Sequence, residues 1–348
     1  MRKVAIPAVG CYKHAFNALG RSLGFEVIDT PRTSSRTMRL GSEISPEGIC
    51  ICYPLILGNY IEAMEKGADS CVFIGGYGAC RQFCYGHLYK LLFKKHYPNV
   101  DFYVLYNENF FEVINKLAGR SLPRLEVGKA FLSLVRNIWL VEKIEDLSWY
   151  YRPREKHRGD TTRVMDECYK IFENGSRSLR AFRTKFARIE TKDVKPLRIG
   201  VVGEIYLLIE PHVNCNTDII LGENGVHVHK FIRLFMEILR ALHLNDRFTN
   251  YKDRDKVKLA WPYLKVSVGG HGRSSVADML RYHHMGFDGI VHLLPMACLP
   301  EISARPFLKK IGSEHKFPLL TLSFDEMASE SATRNRIEAF VDMLRMRK

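Results

Sequence analysis

The segment Cys71-Val-Phe-Ile-Gly-Gly-Tyr-Gly-Ala-Cys80 decides the fold class that we predict for this chain. It opens with an apolar run typical of a buried strand, and three of the four residues after Ile74 are glycine. Glycine allows the backbone to turn tightly and to approach a ligand closely. Cys80 follows where the next helix should begin. We therefore expect its sulfur at the carboxyl end of the strand, where open α/β sheets bind ligands.

A cysteine at this position has two interpretations. Free backbone amides and the positive end of a helix favour a reactive thiolate. A buried structural cysteine beside a tight turn would have the same sequence, because free cysteines are often simply buried. The segment alone leaves both interpretations open.

The composition is that of an ordinary globular protein. The 348 residues can form two domains with separate cores, and 46% of them are hydrophobic and 26% charged. No apolar run reaches the ~18 residues of a membrane span. The start Met1-Arg-Lys leads directly into strand-like residues and leaves no room for a signal peptide. We therefore expect a cytoplasmic protein without a membrane partner.

The formal net charge of +14 favours anionic partners, such as nucleic acid, an acidic protein or a phosphorylated cofactor. The basic residues are spread along the chain and are densest over residues 152–158 and 177–188, as on a solvated helical face. Nucleic-acid binding would rest on charge alone, and we do not expect it. The chain also lacks the G-x-x-x-x-G-K-[ST] signature of a P-loop ATPase.

The first hundred residues predict a parallel sheet. Residues 3–9 and 25–29 have the composition of strands and flank a helical pattern over residues 12–23. This order implies parallel pairing with a right-handed crossover. A further strand is predicted over residues 101–105. The G-x-G-x-x-G fingerprint is missing, so a dinucleotide site is not expected.

Cys52 is predicted to lie in a rigid turn. Polar residues 31–45 indicate a loop that leads toward this cysteine. Pro54 pushes its predecessor toward an extended conformation and so disfavours helix immediately upstream. A helix is then predicted over residues 57–66.

Three domains follow from these patterns. Residues 1–106 form an N-terminal α/β domain, residues 107–190 a helical insertion, and residues 191–348 a C-terminal α/β domain. An aromatic group within the insertion indicates core packing: Trp139, Trp149, Tyr150 and Tyr151.

The C-terminal domain repeats the pattern of strands that end in glycine or proline turns. His271 and Arg273 follow Gly269-Gly270 at a helix start, which suits an anion. His227 and His229 share one face of a predicted strand. They could ligate a metal ion, or they could have no metal-binding role. The predicted strands are residues 196–203, 226–229, 289–294 and 318–322 and a strand that begins at Val266, and a final helix covers 333–347.

Three cysteines share one setting, because Cys52, Cys80 and Cys298 each lie in a glycine- or proline-fixed turn beside a helix start. Nine cysteines without a C-x-x-C pair favour neither a disulfide framework nor a zinc ribbon. Three thiolates without histidine or carboxylate partners suit a soft metal or an iron–sulfur cluster. Three buried structural thiols are the alternative. Neighbouring cysteines could also join such a site: Cys11, Cys50 and Cys84.

Segments along almost the whole chain carry a family resemblance. They are residues 36–46, 52–69, 75–81, 199–206, 269–273, 294–301 and 336–344. With these segments the chain resembles the iron–sulfur component of the 2-hydroxyacyl-CoA dehydratase family, and especially its branch related to acyl-CoA dehydratase activases. Proteins with a double-cubane cluster form a sibling branch.

The resemblance implies two Rossmann-like domains and a [4Fe–4S] cluster on Cys52, Cys80 and Cys298. It also implies a separate ATP-hydrolysing activator protein, with its own iron–sulfur cluster, that supplies a low-potential electron in anaerobic metabolism. A homodimer or a pair with a homologous subunit would be the active unit. Tyr77 stands where relatives often have cysteine, so a double-cubane [8Fe] cluster stays an alternative.

Two functions follow from this resemblance. The electron could be used on an acyl-CoA thioester or another small molecule, with the cluster's open iron acting on a substrate oxygen. Alternatively, the chain is a non-catalytic electron-relay or assembly subunit of a larger complex. For the first function, four residues are candidates to contact substrate or support the cluster ligands: Glu204, His271, Arg273 and Glu301.

Overall fold

Two four-stranded parallel sheets organise the chain, one in each of two units. The computed structural model describes residues 1–76, 80–242, 244 and 253–347. The units are Met1–Asn137 and Ile138–Lys348, and the division falls inside one long helix. The prediction of an α/β protein with two parallel-sheet domains is confirmed.

The first unit contains a sheet with the strand order β2-β1-β3-β4. Ala5 of the short first strand lies opposite Ile28 on one side and Cys71 on the other. The strands are β1 (Lys3–Ala5), β2 (Glu26–Ile28), β3 (Ser70–Ile74) and β4 (Asp101–Leu105). The helices that begin in this unit are α1 (Lys13–Leu23), α2 (Ser35–Ser42), α3 (Cys52–Glu65), α4 (Gln82–His96), α5 (Phe110–Ala118) and α6 (Arg124–Tyr151).

Burial explains the first sheet. Residues 70–73 of β3 are buried. Apolar side chains from helices and strands of this unit pack into one cluster that includes Leu23, Val72 and Val113. Ile74, the last residue of β3, is 62% exposed. The buried part of β3 therefore ends at Phe73, two residues before Gly75.

The second unit contains a sheet with the order β6-β5-β7-β8. Every residue of its central β7 is buried, as expected of a strand covered on both faces. The strands are β5 (Leu197–Gly203), β6 (Val226–His229), β7 (Gly289–Pro295) and β8 (Leu319–Phe324). The helices are α7 (Asp160–Glu173), α8 (Leu179–Phe186), α9 (Ile205–Ile209), α10 (Thr217–Glu223), α11 (Leu234–Ala241), α12 (Asp253–Ala260), α13 (Gly272–His284), α14 (Leu299–Glu314) and α15 (Glu330–Met346).

The two sheets have the same strand order, with the first strand of each unit in the second position and the third strand beside it. Cys80 follows β3, the third strand of the first sheet, and Cys298 follows β7, the third strand of the second. The two cysteines therefore occupy the same topological position, each in its own unit.

Three local predictions are wrong. Residues 31–45 are not a loop, because Ser34 caps the helix α2 and its side chain accepts a hydrogen bond from the Thr37 N–H. The next helix begins at Cys52 rather than residue 57, since Pro54 lies in its first turn, where no N–H is needed. Residues 266–268 form no strand.

Helices α5 to α8 occupy most of residues 107–190, between the two sheets in sequence. The boundaries of the predicted insertion stay predictions, because the compact units divide between Asn137 and Ile138. Among the described residues, none of the helices combines the length and apolar composition needed to cross a membrane.

Candidate functional site

Cys52 is the first residue of α3 and is fully buried. Helix α3 runs back to the amino end of β3, so its own start lies toward the carboxyl edge of the first sheet. This edge is where parallel sheets bind ligands. The structure thus places the Cys52 thiol at the start of a helix, although not in the turn that the sequence suggested.

Close contact between α2 and α3 fixes this helix start. A Cβ added to Gly41 would lie 1.8 Å from the Pro54 carbonyl oxygen, and one added to Gly58 would lie 1.9 Å from the Thr37 carbonyl oxygen. The two helix backbones touch directly because both positions lack a side chain. Two of the segments that carry the family resemblance, 36–46 and 52–69, therefore pack against each other.

A buried carboxylate also joins the two helices. Glu62 of α3 accepts a hydrogen bond from the Thr37 hydroxyl at 2.7 Å and one from the Arg36 guanidinium at 3.0 Å. Arg36 reaches the exposed Glu65 as well, at 2.8 Å. Both oxygens of the buried Glu62 are thereby satisfied, which a buried charge requires.

Cys80 lies after β3 and just before α4, and it is partly buried. The Phe83 ring packs directly against Gly76, because a Cβ on Gly76 would lie 2.4 Å from this ring. Cys84 follows on the first turn of α4 and is exposed. The prediction of a glycine turn over residues 77–79 lies outside the described residues.

Stacked tyrosines surround the start of α3. The rings of Tyr53 and Tyr89 stack at 4.2 Å, and Tyr85 meets Tyr53 edge-on at 5.0 Å. The Tyr89 hydroxyl donates to the Tyr53 carbonyl oxygen at 2.9 Å. The Tyr85 hydroxyl is buried and has no hydrogen-bond partner among the described residues. Burial is the main cause that raises the pKa of Tyr85, and Cys50 and Cys52 raise it further.

In the second unit, Cys298 is the N-cap residue of α14 and is 4% exposed. The turn that carries it contains Ala297 with a φ of 60°, a left-handed conformation. Pro300 then lies in the first turn of the helix, where proline is favoured. The predicted position of Cys298, at a strand end and a helix start, is what the structure has.

Glu301 is fully buried three residues after Cys298. Its Oε2 accepts the Ser275 hydroxyl at 3.0 Å and lies 3.0 Å from His292 Nε2. Its Oε1 has no hydrogen-bond partner among the described residues. The starts of α13 and α14 meet here, since a Cβ on Gly272 would lie 2.5 Å from the Pro300 carbonyl oxygen. Glu301 thus lies where the starts of two helices meet.

His271 forms an ion pair with Glu237, at 3.5 Å between Nε2 and Oε1. Burial disfavours the charged form of both side chains, but the attraction between them has the larger effect on both pKa values. The pKa of Glu237 falls to about 2, through His271 first and then Arg240 and Lys256. The pKa of His271 rises above its usual value, because Glu237, and less strongly Glu204 and Glu301, favour the cation. The ion pair therefore favours the protonated form of His271.

Of the other candidates, Glu204 and His229 have clear local roles, whereas Arg273 does not. The Glu204 side chain caps α9 and accepts the Leu207 N–H at 3.0 Å. Arg273 has a buried Nε without a hydrogen-bond partner among the described residues. His229 Nδ1 lies 3.1 Å from the Tyr282 hydroxyl, and burial lowers the pKa of His229 to about 4. A packed, neutral histidine explains this position without a metal.

The donor atoms fit an iron–sulfur cluster in kind. None of the nine cysteines, all of which the structure describes, forms a disulfide, and the three candidates lie at the carboxyl edges of their sheets, two in the first unit and one in the second. The orphaned Tyr85 hydroxyl beside Cys50 and Cys52 is the donor that a ligand sulfur could use. Within the described ranges, no three His, Cys, Asp or Glu side chains form a ready metal-binding group.

No protein-family model matches the chain, and no curated protein matches it either.

The sequence analysis missed several residues of the site: Glu62, Tyr85, Ser275 and His292. Their signal in the sequence is weak, because each contacts partners that lie nine or more residues away along the chain. Only the capping pattern at Ser34 and Thr37, three residues apart, could have indicated α2 beforehand.

Proposed function

We propose that this chain is an iron–sulfur redox protein that holds a [4Fe–4S] cluster on Cys52, Cys80 and Cys298. One observation supports this most: each of these cysteines, none of them in a disulfide, lies at or next to a helix start at the carboxyl edge of a parallel sheet. Cys80 and Cys298 follow topologically matching strands in the two units. Residues in such places commonly bind ligands, and thiolates are the usual ligands of iron–sulfur clusters.

When bound, the cluster supplies one-electron chemistry and an iron that is open to a substrate oxygen. The protein has to hold thiolates and exclude water. The helix starts at Cys52 and Cys298 favour the anionic form of sulfur. Burial of both residues keeps solvent away. Proton transfer falls to His271, because its ion pair with Glu237 raises its pKa above the usual value.

The proposed electron source is an ATP-hydrolysing activator protein with its own iron–sulfur cluster. The proposed substrate is an acyl-CoA thioester or another small molecule, and the net charge of +14 would favour the CoA phosphates. In this proposal His271 and Arg273 face the anionic substrate, whereas Glu204 and Glu301 support the site from buried positions. The protein works in the cytoplasm, as a homodimer or with a homologous subunit.

The alternative is an electron-relay or assembly subunit that turns over no substrate. Titration of cluster-loaded protein with an acyl-CoA separates the two functions. A spectral change that saturates with acyl-CoA supports the redox enzyme. An unchanged spectrum, together with electron transfer from a reduced activator, supports the relay.

The first experiment measures iron, sulfide and the reduced-state EPR spectrum of anaerobically purified protein. We expect about four irons per chain, with a loss of iron in Cys52→Ala, Cys80→Ala and Cys298→Ala. Two buried cysteines outside the site provide matched controls, Cys71→Ala and Cys168→Ala, which should keep the iron. About eight irons per chain would indicate the double-cubane cluster. No iron after anaerobic reconstitution would overturn the proposal.

A further inference from the structure

Tyr85 lies beside the start of α3. Its side chain is buried, on the first turn of α4, and its ring meets the ring of Tyr53 at 81° with 5.0 Å between the centroids. Tyr53 directly follows Cys52. The ring is held in place by this contact, because Tyr53 itself stacks on Tyr89. The hydroxyl of Tyr85 therefore has a fixed direction.

The hydroxyl of Tyr85 differs from those of its buried neighbours. Tyr60 donates to the Val72 carbonyl oxygen at 2.8 Å, and Tyr89 donates to the Tyr53 carbonyl oxygen at 2.9 Å. Tyr85 has no such acceptor in the part of the chain that the structure describes. A buried hydroxyl without a partner is unfavourable, so an acceptor beyond those of the described residues would stabilise Tyr85.

Cys50 and Cys52 both act electrostatically on the Tyr85 hydroxyl. After burial, Cys50 is the largest contributor that raises the pKa of Tyr85, and Cys52 contributes in the same direction. Arg81 acts against them. The backbone N–H of Cys50, which lowers the pKa of Tyr85, can only donate, so the hydroxyl proton of Tyr85 still lacks an acceptor among the described residues.

We propose that the Tyr85 hydroxyl donates a hydrogen bond to the Cys52 sulfur when that sulfur is a cluster ligand. This inference rests on the proposed function, and it adds a residue that the resemblance does not assign. A donor on a ligand sulfur stabilises the more negative, reduced state. Tyr85 thereby raises the reduction potential of the site and strengthens the hold on iron.

The test compares Tyr85→Phe with the matched variant Tyr89→Phe, since each loses only a buried hydroxyl. In cluster-loaded protein, we expect Tyr85→Phe to shift the potential to a more negative value in an EPR-monitored redox titration. It should also speed iron loss to a chelator several-fold. Tyr89→Phe should leave the potential unchanged, because its hydroxyl is used within the fold.

The apoprotein provides a second readout without iron. Removal of an unpartnered hydroxyl should leave the free energy of unfolding unchanged or higher in Tyr85→Phe, whereas Tyr89→Phe should lower it. Equal losses in both variants would overturn the inference, as would an unchanged potential in iron-loaded Tyr85→Phe. If the shift vanishes in a Cys50→Ala background, the acceptor is Cys50 and the assignment to Cys52 is wrong. Wild-type protein that binds no iron would instead overturn the proposed function.

Discussion

The backbone of Gly41 approaches the Pro54 carbonyl oxygen so closely that a Cβ on Gly41 would lie 1.8 Å from that oxygen. Real Cβ atoms do not come this near to another atom. The contact sets the position of the first turn of α3, and Cys52 is the first residue of that turn. The cysteine is thus positioned by a glycine that lies eleven residues before it in the sequence.

Gly41→Ala should separate α2 from α3 and destabilise the first unit by about 3 kcal/mol, the upper part of the usual range for overpacking. Denaturant unfolding measures this loss. The matched control is Gly128→Ala, because Gly128 is exposed within α6 and its Cβ would meet nothing within 4 Å. That variant should gain about 0.5–1 kcal/mol from helix propensity. Similar stabilities for the two variants would contradict a close backbone contact between α2 and α3 at Gly41.

Glu62→Gln should lower the free energy of unfolding by about 1–3 kcal/mol, since the buried side chain would lose its charge-assisted bond to Arg36. Glu65→Gln removes the other carboxylate that Arg36 reaches, but this pair is exposed. We expect a loss under about 0.5 kcal/mol for Glu65→Gln, because exposed pairs contribute little. Equal losses in the free energy of unfolding by urea would show that burial of Glu62 does not strengthen its bond to Arg36.

His229 should make the protein less stable in mild acid. Its folded pKa is lowered to about 4 by burial, then by Arg233, so the folded state resists protonation while the unfolded state accepts it near 6.5. Stability is therefore full above pH 6.5 and falls as the pH drops toward 4. The loss between pH 8 and pH 5 from this group is about 2 kcal/mol.

His229→Phe keeps an aromatic ring against Phe231 and Tyr282 but cannot titrate. Urea unfolding at pH 8 and pH 5 should show a smaller stability loss in this variant than in the wild type. An identical loss in both proteins would mean that His229 is already protonated in the fold.

His271 should titrate above its ordinary value in the folded protein, because Glu237 favours the cation despite burial. The pair stabilises the fold fully below pH 6.5, and this contribution disappears as the pH rises through the folded pKa. Glu237→Gln should lower the titration midpoint of His271, measured by NMR of the imidazole C–H signals. His283, whose lowered pKa has other causes, is the internal control and should not move. A midpoint of His271 that stays in place would argue against the pair.

Strands were the most predictable part of the fold. The strands 101–105 and 226–229 have the predicted bounds, because their apolar and β-branched residues stand between clear breakers. Helix α2 was missed, since its polar composition resembles a loop and its stability comes from contact with α3. Tertiary packing of this kind leaves no periodic signal in the sequence.

The candidate site was predictable only in part. Strand ends and helix starts could be located, so the positions of Cys80 and Cys298 followed from the pattern of glycine and proline. The role of Tyr85 could not be predicted, because nothing in the sequence indicates which of the described tyrosines has a buried hydroxyl without a partner. The pairing of His271 with Glu237 depends on residues that are 34 positions apart in the chain.

The shared strand order of the two sheets has a consequence for the history of the chain. Two sheets of one protein with the same order of four parallel strands are what duplication and fusion of one half-length ancestor would leave. In such a lineage Cys80 and Cys298 descend from one ancestral position. The glycine-rich turn before one and the proline-flanked turn around the other are then later divergences of a single ancestral loop.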